Sequence, residues 1–207
     1  MQADCDGVDL RRTSRHRCQA RACVAAQAHL PLAWATLAAL RGHPDIETHL
    51  VLSHGATKTI QLEMDKTRGD FERLADVVYD PDDLGAAVSS GSYLTMGMVV
   101  VPCSMKSLAE IATGTSANLL SRAADVCLKE RRRLVLVPRE TPLNLIHIRN
   151  METVTLAGAT VLPPMPAFYH RPQTIDDLLA QTVGKVLDQF GIKHDLFERW
   201  EQPVGLP

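Results

Sequence analysis

Residues 97–114 read GMVVVPCSMKSLAEIATG, and this stretch decides the fold class. Its first half, GMVVVP, is a continuous apolar run, which is typical of a strand buried on both faces of a sheet. Its second half, SMKSLAEIATG, has the pattern of a helix that begins directly after this strand. A buried strand that passes directly into a helix is the repeating unit of a parallel α/β sheet.

The same alternation continues on both sides of this unit. Further strands are predicted within IETHLVLS, DVVYD, LVLVP and ATVLPP, at residues 46–53, 76–80, 134–138 and 159–164. Further helices are predicted at residues 31–42, 56–64, 118–130, 143–158 and 175–191. Strands that alternate with helices predict an α/β fold of three layers, in which helices cover both faces of a parallel sheet.

The composition excludes several classes of protein. Apolar residues make up 45% and charged residues 22% of the 207 residues, as in an ordinary soluble domain. The net charge of -2 favours neither nucleic acid nor an anionic membrane as a partner. No apolar run approaches the roughly 18 residues that a membrane span needs, and no Cys or His pair has zinc-ligand spacing. We therefore expect no metal, and a function that resides in local sites.

The beginning of the chain differs from the rest in its residue composition and hydrophobic pattern. MQADCDGVDLRRTSRHRC is charged where a signal peptide would be apolar, so we expect a cytoplasmic protein with reduced thiols. Residues 1–28 show no sustained strand or helix period. The predicted organisation is an atypical segment at residues 1–30, one domain at residues 31–200 and a tail at residues 201–207.

Polar residues follow four of the predicted strands. Three sets lie at the strand ends, namely Ser53, the run Cys103-Ser104-Met105-Lys106-Ser107 and the run Arg139-Glu140-Thr141, and the run Tyr169-His170-Arg171 lies in the proline-rich loop after the last strand. In an open parallel sheet, ligands bind beyond the carboxyl ends of the strands. Helix capping and loop solvation are the alternative explanations for each residue taken alone.

These residue types suit an anionic and partly aromatic ligand. The helix start at residues 104–107 offers backbone N–H groups and hydroxyls to a phosphate or a ring edge, although Lys106 can also be simply solvated. The planar fork of Arg139 fits an anion, with a surface salt bridge as the alternative. Glu140, next to such a ligand, is a candidate for proton transfer. The loop PPMPAFYHRP is stiff and presents aromatic rings, so it can wall an apolar substrate.

Several blocks of the sequence closely resemble the UbiX-type flavin prenyltransferases. They are VVVPCSMKSLAEIATG, NLLSRAADVCLKERRRLVLVPRETPLNLIHIRNM and PPMPAFYHRPQTIDDLLAQTVGKVLDQFG, together with DIETHLVLS at residues 45–53 and SSGSY at residues 89–93. The likeness runs from about Leu32 to Trp200. It implies a Rossmann-like, flavodoxin-like flavoprotein that forms dodecamers with active sites at subunit contacts. It also implies the joining of dimethylallyl phosphate to reduced FMN, which yields the prenylated FMN used by UbiD-type decarboxylases.

The resemblance also assigns roles to residues. It places Ser53, Ser104, Met105, Lys106, Ser107 and Arg139 at FMN, and Lys129, Tyr169 and Lys185 at the prenyl phosphate. Glu140 then assists proton transfer, and Arg122 supports the phosphate pocket. For Lys129, in the run LKERRRLVLVPRE, the residues alone favour a solvated helix end. The resemblance requires no metal.

The chain departs from the family at its beginning. Members carry a glycine-rich loop of the form G-x-[ST]-G-A-[ST]-G, but the equivalent register here, Val24 to His29, contains no glycine. Side chains there predict weaker FMN binding, because glycine lets the backbone approach a phosphate. One hypothesis is that residues 1 to about 30 are translated from a shifted reading frame. The alternative function is a non-catalytic flavin-binding or scaffold subunit of a hydroxyarylic acid decarboxylase complex.

Overall fold

The computed structural model describes residues 20–26 and 30–200. Within these residues the strands are β1 Ala20–Ala26, β2 Ile46–Leu52, β3 Val77–Tyr79, β4 Gly97–Cys103, β5 Arg133–Pro138 and β6 Thr160–Val161. The helices are α1 Leu30–Arg41, α2 His54–Glu63, α3 Arg68–Glu72, α4 Met105–Thr113, α5 Leu119–Lys129, α6 Leu145–Leu156 and α7 Ile175–Gln189, with a 3₁₀ turn at Ala87–Ser89. All the elements predicted from residue 31 onward are present.

The six strands form one parallel sheet in the order β3-β2-β1-β4-β5-β6. Strand β1 lies at its centre, where Val24 pairs with Leu50 of β2 and with Val99 of β4. This is the doubly wound order of the Rossmann type, and it reverses direction between β1 and β4. The predicted α/β fold is confirmed, and the reversal marks where a ligand crevice opens.

The strands bury both of their faces because alternate side chains enter two separate cores. One core contains Val24, Val99 and Val135 and is covered by α1, α2 and α7. The other contains Met98 and Leu134 and is covered by α4, α5 and α6. The period of two along each strand thus feeds two apolar layers, which is why the strands appear as continuous apolar runs.

A strand lies within residues 1–28, where the sequence shows no sustained strand period. Strand β1, with the sequence ARACVAA, is buried from Ala22 to Ala26 and makes the central pairings of the sheet. Alanine is a poor strand former on its own, but a strand with neighbours on both sides and a helix layer on each face can accommodate it. The shifted-frame hypothesis for residues 1–30 stays a prediction, and residues 1–19, 27–29 and 201–207 lie outside the described residues.

Two short elements, helix α3 and the 3₁₀ turn at Ala87–Ser89, were also missed by the sequence pattern. Helix α3 begins at a reciprocal cap in which the Thr67 side chain accepts from the Asp70 N–H while the Asp70 carboxylate accepts from the Thr67 N–H. Its single buried side chain, Phe71, makes an edge contact with Trp34 of α1 at 5.2 Å between ring centroids. A single turn is too short for hydrophobic periodicity to reveal.

Among the described residues, no helix is long and apolar enough to cross a membrane.

Candidate active site at the carboxyl edge of the sheet

A cavity of about 290 Å³ opens at the carboxyl ends of the strands. It is lined by Ser53, His54, Gly55, Thr59, Pro81, Asp82, Ser104, Lys106, Ser107, Asn118 and Leu120. These residues come from the starts of α2, α4 and α5 and from the loop after β3. The cavity therefore lies at the edge where the doubly wound order places ligand sites.

Two helices point their N-termini at this cavity. Ser53 caps α2, its Oγ accepting a hydrogen bond from the Ala56 N–H at 3.1 Å. Ser104 caps α4 in the same way, its Oγ accepting from the Ser107 N–H at 3.2 Å. Helix N-termini carry positive partial charge and backbone N–H groups, so both ends favour an anionic ligand. The predicted grouping of Ser53 with the segment after β4 is thus present in the structure.

The N-terminus of α5 forms a third part of the wall, which was not predicted as a site. The Asn118 side chain caps α5 through a 3.0 Å bond from the Ser121 N–H, and its Nδ2 donates to Glu110 Oε2 at 3.2 Å. Glu110 also faces Lys106, whose Nζ lies 3.7 Å from Glu110 Oε1. Lys106 is mostly exposed and lies at the rim, while Met105 packs against the second core rather than lining the cavity.

A contact between two residues that line the cavity, His54 and Asp82, was also missed by the sequence analysis. His54 Nε2 lies 2.8 Å from Asp82 Oδ2, and both residues line the cavity. The two positions are 28 residues apart, and neither has a local pattern that singles it out. Only their meeting in three dimensions identifies them.

Arg139 and Glu140 follow β5 directly, and both are exposed in the single chain. The end of β5 is beside the end of β4, since Pro138 pairs with Cys103. The Glu140 carboxylate accepts a bond from the Thr141 N–H at 3.0 Å. These residues therefore share the cavity's edge of the sheet, although they do not line the cavity itself.

The cysteine beside this site is a structural residue. Cys103, the last residue of β4, is buried, and that burial raises the pKa of its thiol to about 12. A thiol with so high a pKa carries almost no thiolate at neutral pH, and the thiolate is the reactive form. Cys103 is therefore not a nucleophile at neutral pH.

Lys129 lies away from the cavity within one chain. Helix α5 starts at the cavity and ends at Lys129, just before β5 begins at Arg133, so Lys129 is at the opposite edge of the sheet. Its Nζ makes an ion pair with Glu130. Arg122, in the first half of α5, donates from Nε to the Ser89 carbonyl at 3.3 Å and from Nη1 to Asp125 at 2.9 Å. A single chain therefore does not bring Lys129 to the cavity.

Tyr169 and Lys185 share a different neighbourhood, formed by α7 and the segment that follows it. Lys185 Nζ lies 3.8 Å from Asp188 Oδ2, and the same carboxylate accepts from Arg199 at 2.7 Å. The hydrogen bond from Arg199, together with one from His194 at 3.1 Å, lowers the pKa of Asp188. The Tyr169 ring meets Trp200 edge to face at 5.7 Å. The segment that ends at Trp200 therefore contacts both Tyr169 and the carboxylate that faces Lys185, the two residues predicted to bind the prenyl phosphate in this part of the chain.

The fold and this cavity define a doubly wound α/β protein with a site for an anionic ligand at its topological switch point. A model of the flavoprotein family matches residues 23–187. A probable UbiX-like flavin prenyltransferase from Sedimentibacter hydroxybenzoicus is 52% identical over 170 residues, which cover 82% of this chain and 90% of that protein. The flavin prenyltransferase UbiX of Thauera aromatica is 54% identical over 155 residues, covering 75% and 80%.

A solved structure agrees with these relatives. The crystal structure of AnUbiX (PadA1) in complex with FMN and dimethylallyl pyrophosphate has a TM-score of 0.87 and 50% identity, over 89% of this chain and 98% of that one. The dodecameric FMN-dependent UbiX-like decarboxylase of Escherichia coli O157:H7 has a TM-score of 0.86 and 48% identity, over 88% and 100%. The chain belongs to the UbiX-like flavin prenyltransferases of the flavoprotein family.

Proposed function

We propose that this protein is a flavin prenyltransferase. It joins dimethylallyl phosphate to reduced FMN and so makes the prenylated FMN that a UbiD-type decarboxylase uses. Relatives at 52% and 54% identity are named as flavin prenyltransferases, and a structure at 50% identity holds FMN with dimethylallyl pyrophosphate. The observation that carries the proposal is the cavity between the N-termini of α2 and α4, where the relatives' ligand chemistry finds matching donors.

The residues around the cavity fit FMN. The capped N-termini at Ser53 and Ser104 provide N–H groups, hydroxyls and positive partial charge for the anionic and electron-rich parts of the ligand. Leu120 and Pro81 provide apolar surface for a flat ring. The carbonyl of Ala26, at the end of β1, accepts from the Ser53 N–H at 3.2 Å, so the chain leaves β1 directly beside the cap of α2.

The division of labour follows from the chemistry of each side chain. Bound reduced FMN supplies the electron-rich ring that accepts the prenyl group. Ser53, the segment from Ser104 to Ser107 and Arg139 hold the flavin. Lys129, Tyr169 and Lys185 bind the prenyl phosphate, whose negative charge grows as it leaves, and Arg122 supports that pocket. Glu140 moves the proton that accompanies departure of the phosphate.

The proposal includes an oligomer, because these residues do not meet within one chain. A relative at 48% identity is dodecameric, which supports assembly of this chain in the same way. In such an assembly we expect Lys129 of one subunit to reach the cavity edge of another. Large apolar side chains that are exposed in the single chain, including Phe168, Ile146 and Trp200, are available for such contacts. The protein acts in the cytoplasm, where its product meets the decarboxylase.

The decisive experiment is incubation of the protein with reduced FMN and dimethylallyl phosphate under anaerobic conditions, with mass spectrometry of the released flavin. Prenylated FMN is expected from the wild type. Lys129→Ala and Tyr169→Phe are expected to raise the donor concentration needed for half-maximal rate, since both residues hold the leaving group. Lys58→Ala, on α2 outside the cavity lining, serves as the control for loss of a lysine.

The alternative is a flavin-binding or scaffold subunit that does no chemistry. The departure from the glycine-rich loop favours this alternative, because the stretch from Val24 to Ala26 is strand and contains no glycine. FMN binding without any prenylated product would establish the alternative. Absence of FMN binding would reject both functions and would direct attention to the reading frame of residues 1–30.

A further inference from the structure

The rim of the cavity carries a contact between two separate parts of the chain. His54 is the first residue of α2, and Asp82 belongs to the loop that follows β3. Their side chains meet at 2.8 Å between Nε2 and Oδ2. About two thirds of each side chain is exposed (67% and 69%), so the contact lies at the mouth of the cavity and not in its floor.

Both partners are held in place by their own surroundings. The loop around Asp82 is braced by a bond from the Asp82 N–H to the Asp80 carboxylate at 2.9 Å, and by a bond from the Leu119 N–H to the Pro81 carbonyl at 2.8 Å. His54 follows the Ser53 cap at the start of a regular helix. A contact between two segments whose backbones are already fixed costs less conformational entropy than one between flexible segments. The contact between His54 and Asp82 can therefore hold the mouth of the cavity partly closed.

The contact between His54 and Asp82 also affects the electrostatic charge at the mouth of the cavity. The loop after β3 is acidic, with Asp80, Asp82 and Asp83 close together, and an acidic rim repels an anionic ligand. His54 contacts one oxygen of the Asp82 carboxylate, and Asp82 is the member of this group that lines the cavity. Lys106 at the same rim is directed toward Glu110 instead. Loss of His54 therefore opens the mouth and uncovers a negative charge, whereas loss of the Asp82 charge only opens the mouth.

From this arrangement we propose that His54 and Asp82 form a clasp over the cavity that slows release of bound flavin. The inference rests on the proposed function, since it takes FMN as the occupant of the cavity. The two residues are positioning residues at the rim, and neither takes part in the prenyl transfer. An exposed side-chain contact of this kind contributes modestly, so each single loss is expected to speed FMN dissociation by about two- to fivefold.

The test measures FMN dissociation by stopped-flow dilution, following the recovery of free-flavin fluorescence. The variants are Asp82→Asn, His54→Ala and the double variant. The double variant is expected to release FMN no faster than the faster single variant, because one contact is lost in all three. His54→Ala is also expected to slow association, whereas Asp82→Asn is not. At about 1 M salt, where the screening length falls to about 3 Å, the difference between wild type and Asp82→Asn is expected to shrink.

The control is Glu72→Gln, which breaks the ion pair of Arg68 and Glu72 at 2.6 Å on α3, away from the cavity lining. It is expected to leave dissociation unchanged. Wild-type dissociation rates in both single variants, or a double variant whose acceleration is the product of the two singles, would overturn the clasp while FMN binding still stands. A wild type that binds no FMN would overturn the clasp together with the proposed function. A clasp effect without prenylated product would support the clasp and reject only the transferase.

Discussion

Two replacements of Ser104 can separate the helix-capping role of its hydroxyl from the role of the same hydroxyl in binding a ligand. Its hydroxyl caps α4 by accepting from the Ser107 N–H at 3.2 Å, and the same residue lines the cavity. A hydroxyl has one O–H donor and two lone pairs, so capping and donation to a ligand are compatible. Ser104→Ala removes both interactions, whereas Ser104→Gly removes the hydroxyl but keeps most of the capping preference.

The two roles have different magnitudes. Loss of the cap in Ser104→Ala costs about 1 kcal/mol of stability, which lowers Tm by about 2–4 °C for a chain of this size. In Ser104→Gly the loss is only a few tenths of a kcal/mol. Loss of a hydrogen bond to a charged group costs about 1.5–3 kcal/mol, so FMN affinity is expected to fall roughly 10- to 150-fold in both variants.

Thermal unfolding and flavin fluorescence titration measure the two effects. Thr67→Ala is the matched control, because the Thr67 side chain caps α3 and does not line the cavity. It is expected to lose stability as Ser104→Ala does and to bind FMN normally. Unchanged FMN affinity in Ser104→Ala and Ser104→Gly would refute the reasoning and leave Ser104 as a cap alone.

Three further outcomes are expected. Glu140→Gln keeps FMN binding but slows product formation by about 100- to 10,000-fold in single-turnover assays, and an effect below about threefold would remove Glu140 from proton transfer. Burial lowers the pKa of His49 below its ordinary 6.5. As the pH falls, the unfolded chain therefore binds this proton before the folded chain does, and the free energy of unfolding decreases below about pH 6.5. Urea unfolding at two pH values is expected to show a smaller decrease in His49→Gln than in the wild type, and an equal decrease would contradict this role of His49. Asp188→Asn weakens the anchor for the segment at residues 192–200, so hydrogen exchange there is expected to become faster than in the wild type, and unchanged exchange would show that other contacts hold it.

Much of the fold and part of the site are readable along the chain. The apolar run from Met98 to Val101 and the serine that follows β4 report burial on both faces and a helix start, which are local properties of a few successive residues. Ser53 after β2 repeats the signal. Because parallel strands end at one edge, two such local signals were enough to place both serines at one cavity.

Long-range contacts decided the rest. Strand β1 is rich in alanine and gives a weak local signal, yet it is the central strand, because β2 and β4 satisfy its backbone on both sides and two helix layers bury its side chains. His54 and Asp82 meet across 28 residues, and Lys129 lies at the far edge from Ser104 because α5 runs back along the sheet. The amino-acid sequence by itself determined the alternation of strands and helices, the family and the hydroxyls that follow the strands. Only the tertiary structure decided the strand order, the rim of the cavity and which candidate residues a single chain brings together, because those depend on the pairing of segments that are distant in sequence.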